Sequence, residues 1–98
     1  MYARMVQAPL QSGSATEATN YFQDSIGPAL KKHSGFLNAR CMVDTTTNEC
    51  LMITFWKSKE ARQGAEDDGL LQDAIQGMKP WLAGQPAVSY YDDVVQVV

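Results

Sequence analysis

Apolar positions recur at every fourth residue from Ala18 through Phe22, Ile26 and Leu30, with Ala29 and His33 widening the stripe. That period predicts an amphipathic helix ending near Ser34. In front of it, Ser14-Ala15-Thr16-Glu17 has the form of a capping box, in which the Ser14 hydroxyl accepts from the Glu17 amide and the Glu17 carboxylate reaches back. Pro28 has no amide to give to the Asp24 carbonyl, which predicts a kink or brief break there. Gly35 is placed to close the helix in the left-handed conformation. Upstream, Tyr2 to Ala8 alternates loosely among β-compatible residues and is closed by Pro9, the pattern of a strand.

Two further apolar runs, Phe36 to Asp44 and Glu49 to Trp56, flank the polar link Thr45-Thr46-Thr47-Asn48, and this predicts a β-hairpin. Pairing Asp44 with Glu49 sets Val43 against Cys50 and Met52 against Cys41, so the two thiols lie diagonally and a disulfide is strained. Ser58 is positioned to cap a helix from Lys59 to about Glu66. Asp67-Asp68-Gly69 reads as the acidic start of another, with Leu70, Leu71, Ala74, Ile75 and Met78 on one face until Pro80. After Gly84 and Pro86, the chain is β-rich from Ala87 through Val98. The order βαββαβ is the ferredoxin-like α+β plan, an antiparallel sheet with its helices on one face.

Half-exposed antiparallel strands alternate apolar with polar, and these do not. Leu51, Ile53 and Phe55 face one way and Cys50, Met52 and Trp56 the other; Leu37, Ala39, Cys41 and Val43 oppose Phe36 and Met42. Helices cover only one face, so the other needs a cover. Val94-Val95-Gln96-Val97-Val98 adds a β-prone arm that is hazardous unpaired. A second copy answers both needs, which predicts a homodimer with its sheets packed together and the C-terminal strands closing the assembly.

With 98 residues, the chain is expected to be a single domain over 1–98. Its 45% hydrophobic and 19% charged residues suit a globular protein. A formal net charge of −3 has the wrong sign for tracking phosphates, so no nucleic-acid partner is expected. No apolar run approaches the length of a membrane span, and the first fifteen residues lack the apolar core of a secretory signal. A cytoplasmic location follows as the expectation, with Cys41 and Cys50 kept as thiols.

His33-Ser34-Gly35-Phe36-Leu37-Asn38-Ala39-Arg40 and Thr54-Phe55-Trp56-Lys57-Ser58-Lys59-Glu60-Ala61 carry a resemblance. The first is similar to a Gly-Phe turn into a strand, and the second to a strand ending in Trp-x-Ser-x-Glu-Ala at a helix start. Both belong to the antibiotic-biosynthesis-monooxygenase-like (ABM) domains of the dimeric α+β barrel superfamily, whose element order this chain resembles over nearly its whole length. The resemblance implies a homodimeric barrel binding an apolar or aromatic metabolite between each sheet and its own helices. The implied activity is monooxygenation without a cofactor; the alternative is a non-catalytic binding or assembly domain. The haem-degrading branch uses an Asn in the first strand, where this chain offers Gln7, and a Trp and a His in the second helical region, where Lys59 to Lys79 has neither. Haem chemistry is therefore not implied. Arg62 also stands where related oxygenases often carry an aromatic residue.

Several side chains are candidates for that chemistry. His33, the one histidine, is the candidate base for deprotonating a phenol; its bland reading is a helix C-terminal His beside the last carbonyls. Trp56, Trp81, Tyr21, Phe22 and Tyr90 are candidates to line an aromatic pocket, though aromatics at helical or strand spacing more often simply fill a core. Arg4 and Arg40 are strand cations that meet an anionic substrate, pair with a carboxylate such as Asp44 or Asp92, or project into water from a strand edge. Asp67-Asp68 and Asp92-Asp93, with one histidine and distant thiols, make no metal set. Gly64 to Gly69 has the glycine spacing of a phosphate loop, but Leu70-Leu71 follows where Lys and Ser/Thr are required.

Overall fold

In the computed structural model, which describes residues 1–98, the hairpin forms in the expected register. Strands β2 (Phe36–Asp44) and β3 (Glu49–Trp56) pair with Asp44 opposite Glu49, Val43 opposite Cys50 and Cys41 opposite Met52. The turn is built by Asp44, whose Oδ1 accepts from the Thr46 and Thr47 amides at 2.9 and 3.3 Å, and by Asn48 in the left-handed region at φ 61°. Near the start of β2 the register shifts between Phe36 and Asn38. That bulge corrects the simple alternation: Leu37 is left exposed, while Phe36 turns in to meet Trp56 edge-on at 5.5 Å between centroids.

Strand β1 (Tyr2–Pro9) inserts between β3 and β4 (Ala87–Tyr91), antiparallel to both, giving the sheet order β2-β3-β1-β4. This is the ferredoxin-like α+β arrangement expected from the element order. β4 stops at Tyr91, short of the β structure expected through Val98. The pairing of Ala3 with Tyr91 explains the stop, because only Tyr2 of β1 remains beyond it to pair with anything further.

The first helical segment runs unbroken past Pro28. Helix α1 (Ala15–Tyr21) passes through a π-helical turn (Phe22–Ile26) into α2 (Gly27–Lys31), and the Gly27 amide reaches back to the Phe22 carbonyl. Widening the register by one residue absorbs the missing proline donor without ending the helix. Ser14 does not cap with its side chain, and the capping box does not form. Glu17 is engaged elsewhere: its carboxylate accepts from Trp81 Nε1 at 2.8 Å. Gly35 closes the segment at φ 83°, and a Cβ there would lie 2.5 Å from the Ala61 Cβ.

Helix α3 (Lys59–Asp67) is capped as expected, the Ser58 hydroxyl accepting from the Ala61 amide at 3.1 Å. Asp67 and Asp68 close α3 rather than opening the next helix. The chain then reverses at Gly69, φ 83°, before α4 (Leu70–Met78) and a 3₁₀ turn (Lys79–Trp81). No helix is long and apolar enough to cross a membrane.

All helices lie on one face of the sheet. There Val6, Met52 and Trp56 meet Phe22, Leu30 and Met78 in a continuous core. Across the sheet, Met5, Ile53 and Phe55 are half-buried, Met42 and Tyr91 are exposed, and no helix covers them. The chain after Tyr91 lies along this open face, bounding with Met1 and Phe55 a groove of about 270 Å³. Val95 and Val97 are nonetheless 82% and 92% exposed.

A candidate cavity between the sheet and its helices

Alternation on β1 and β3 sends Arg4, Val6, Met52 and Thr54 to the helix-covered face. Opposite them, the π-helical turn contributes Phe22 and Ile26, and α4 contributes Leu71 and Ala74. Between the two layers remains a cavity of about 30 Å³, apolar except for Arg4 and Thr54. A second void of about 110 Å³ lies outside it, bounded by Tyr21, Ser25 and Asp73. Ile26, Leu70 and Ala74 line both, so these three aliphatic side chains form the partition between groove and cavity.

Arg4 is the unusual member. It sits in the middle of the sheet, between Thr54 on β3 and Tyr90 on β4, and is 3% exposed. This corrects the alternative in which it projects into water from a strand edge. Its Nε and Nη1 are buried with no hydrogen-bond partner, and it makes no ion pair. Burial pushes the guanidinium below arginine's ordinary range, Glu66 and Tyr90 pull it up, and Arg62 pushes it down again. A guanidinium remains cationic at neutral pH under such influences.

Arg62, also buried, is the opposite case. Its Nη1 donates to the carbonyls of Ala3 and Tyr91 at 3.0 and 3.1 Å, and its Nη2 pairs with Asp92 at 2.9 Å. The guanidinium lies over the rings of Tyr2 and Tyr90 at 5.7 and 5.2 Å. It ties α3 to the edge of the sheet beside Arg4. The Tyr90 hydroxyl donates to Glu66. Burial, and then this bond, raise the Tyr90 pKa.

Of the residues singled out in the sequence, the structure brings Arg4 and Phe22 to the cavity and Tyr21 to the outer groove. Trp56 is fully buried but does not line the cavity; its Nε1 donates to Thr54 Oγ1 at 2.9 Å and so fixes a side chain that does. His33 lies outside the cavity, edge-on to Trp56 at 6.4 Å, with Nδ1 3.7 Å from Asp68. Trp81 packs on Tyr21 at 5.4 Å. Arg40 lines the open-face groove. Thr54, also in the cavity wall, is marked in the sequence as the one hydroxyl residue at the core-facing positions Cys50, Met52, Thr54 and Trp56. The role of Arg62 left no such signal, since its partners come from β1, from the end of β4 and from Asp92 just beyond it.

Cys41 and Cys50 are free thiols with their sulfurs 3.9 Å apart, and their contact, together with burial, holds the Cys41 thiol far above its ordinary range. No group of three or more His, Cys, Asp or Glu side chains is placed to hold a metal ion.

Comparison with solved structures identifies the architecture. A variant of SnoaB, a cofactor-independent oxygenase from Streptomyces nogalater, superposes with a TM-score of 0.78, covering 98% of this chain and 95% of that one at 10% identity. The fold is that of the antibiotic biosynthesis monooxygenases. The monooxygenase ActVA-Orf6 of Streptomyces coelicolor, in complex with nanaomycin D, matches with a TM-score of 0.76 and 16% identity over 99% and 90% of the two chains. A conserved protein from Methanosarcina mazei matches with a TM-score of 0.73 and 13% identity over 93% and 91%. No family model matches the sequence, and no curated protein matches it. The ABM fold thus persists where little of the sequence does.

Proposed function

We propose that this chain is an ABM-fold monooxygenase that takes a small apolar, aromatic metabolite between its sheet and its helices and oxidises it with dioxygen and no cofactor. The observation carrying this reading is the cavity itself, a largely apolar space with a single cation in its wall, in a fold shared with a cofactor-independent oxygenase. In such chemistry, an ionised hydroxyaryl substrate with an activated CH₂ passes electrons to dioxygen. One oxygen atom replaces the two hydrogens as a carbonyl, and the other leaves as water. The protein's part is to exclude bulk water and favour the substrate anion.

Oxygen uptake in metal-free buffer against a panel of hydroxyanthrones tests this, with Ala74→Phe as the variant that fills the cavity. Uptake that the variant abolishes supports the reading, and no uptake with any substrate refutes it. A second reading, a binding domain without turnover, is favoured by the packing of His33 and Trp56 away from the cavity, which leaves no histidine in position to act as base. Binding of the same compounds without oxygen uptake would select it.

We further propose that a second copy covers the open face, where Met5, Ile53 and Phe55 wait between the sheet and the terminal valines. Deleting Val94 to Val98 should weaken the dimer in light scattering. A truncated chain that stays fully dimeric would show that the arm is not needed.

A further inference from the structure

The cavity described above holds a cation that the fold does not use. Arg4 is 3% exposed, its Nε and Nη1 have no partner, and both void and side chain lie on the same face of the sheet. An unsatisfied buried charged donor destabilises the fold unless something supplies the acceptor. The side chains sharing the cavity with it are aliphatic or aromatic, save Thr54, whose hydroxyl oxygen already accepts from Trp56. The missing acceptor therefore comes from outside the chain. We propose that Arg4 is the specificity-determining residue of the cavity and that it selects ligands bearing an ionised oxygen on an aromatic ring, a phenolate, with the oxygen against its free donors.

This rests on the cavity being the ligand site, and it names the form in which the ligand is held. The inner space, about 30 Å³, is the smaller of the two and has Arg4 and Thr54 as its polar wall, so the charged oxygen is placed there. The ring then extends toward the outer groove of about 110 Å³, which requires Ile26 and Leu70 to move aside. The elements that carry these residues suit such a movement. Ile26 ends the π-helical turn, and Leu70 follows the left-handed Gly69. With no histidine in the cavity wall, ionisation is favoured by the fixed positive charge, and the phenol proton is lost to solvent as the ligand binds.

The probe is 4-nitrophenol, whose phenolate absorbs in the visible and so reports its own ionisation. Its apparent pKa is titrated free, with wild-type protein, and with Arg4→Met, Arg4→Lys and Ala74→Phe. On wild type the pKa should fall by about one unit or more, equivalent to at least tenfold tighter binding of the phenolate than of the phenol. Arg4→Met should abolish the shift and Arg4→Lys retain part of it. Benzoate should displace the probe where benzyl alcohol does not. Probe that binds wild type with an unshifted pKa, and is excluded by Ala74→Phe, would overturn the role of Arg4 while leaving the cavity as the ligand site. Failure of either ionisation state to bind at any pH would overturn both. Crystals soaked in the probe that show only water on Nε and Nη1 would overturn the role of Arg4. The wild-type titration decides the matter even where Arg4→Met does not fold.

Discussion

If Arg4 is retained for a ligand, it should be a burden to the empty protein, and replacing it should stabilise the fold. Arg4→Met exchanges a buried guanidinium for an unbranched apolar chain of similar reach, in a wall otherwise made by Val6, Met52 and Leu71. Each of the two unpartnered donors carries an unsatisfied-group cost of about 1–3 kcal/mol. Against this stands the attraction of Glu66 and Tyr90, the two groups that pull the guanidinium pKa upward. Neither approaches as an ion pair or hydrogen bond, so their attraction is the smaller effect. The net expectation is a gain of about 1–3 kcal/mol, within the range seen when buried charges give way to apolar side chains. For a chain of 98 residues this raises the melting temperature by roughly 5–15 °C. Urea unfolding of both proteins at one concentration is the assay, and the midpoint should rise with the slope unchanged. A loss of 1 kcal/mol or more would show that Glu66 and Tyr90 hold Arg4 as part of the scaffold, and the cation would then need no ligand to explain it.

Three other perturbations follow from the packing. Gly77 lies under Tyr21, where a Cβ would stand 1.8 Å from the hydroxyl oxygen; Gly77→Ala should cost about 1–3 kcal/mol and Gly77→Ala with Tyr21→Ala distinctly less than the sum of the two, whereas strict additivity in chemical unfolding would place the clash elsewhere. Arg62→Met removes three hydrogen bonds, two of them to backbone carbonyls, for an expected loss of about 2–4 kcal/mol that Arg62→Lys does not restore; wild-type stability in either variant would contradict the tie described here. Burial and the bond to Glu66 raise the Tyr90 pKa above its ordinary 10.0, so the stability linked to its proton is complete below that value and declines as pH rises past it. Tyr90→Phe should flatten that alkaline decline in unfolding midpoints, and an unchanged slope would remove Tyr90 as its source.

What the sequence disclosed was local. The diagonal thiols, the Ser58 cap and the left-handed Gly35 were readable because each depends on a few neighbouring residues or on a single hairpin register. Failures came where a distant partner outcompeted a local one. Ser14 and Glu17 have the spacing of a reciprocal cap, yet the Glu17 carboxylate is taken by Trp81, 64 residues away. Pro28 signalled a disturbance correctly, but packing of Phe22, Ile26 and Leu30 on the sheet kept the segment helical and turned the break into a π-helical turn. The site was legible only in part. The apolar face of α4 was plain, whereas the environment of Arg4 depended on β1 lying inside the sheet, a property of topology rather than of the residues around position 4.

The two buried arginines bear on why Arg4 is there at all. They sit beside each other on the same side of the sheet and near the same tyrosine, so the fold offers both a similar setting. Arg62 found two carbonyls, a carboxylate and two aromatic faces. A chain able to satisfy one guanidinium so fully is not short of ways to accommodate another, and Glu66, which bonds Tyr90 instead, stands close enough to influence Arg4 without pairing with it. Were the core's only need a filled volume, leucine or methionine would supply it at lower cost. A cation left without partners at the end of an apolar cavity is what a site for an anion looks like before the anion arrives, and the stability forgone in the empty protein becomes the part of the binding energy that separates a phenolate from a phenol.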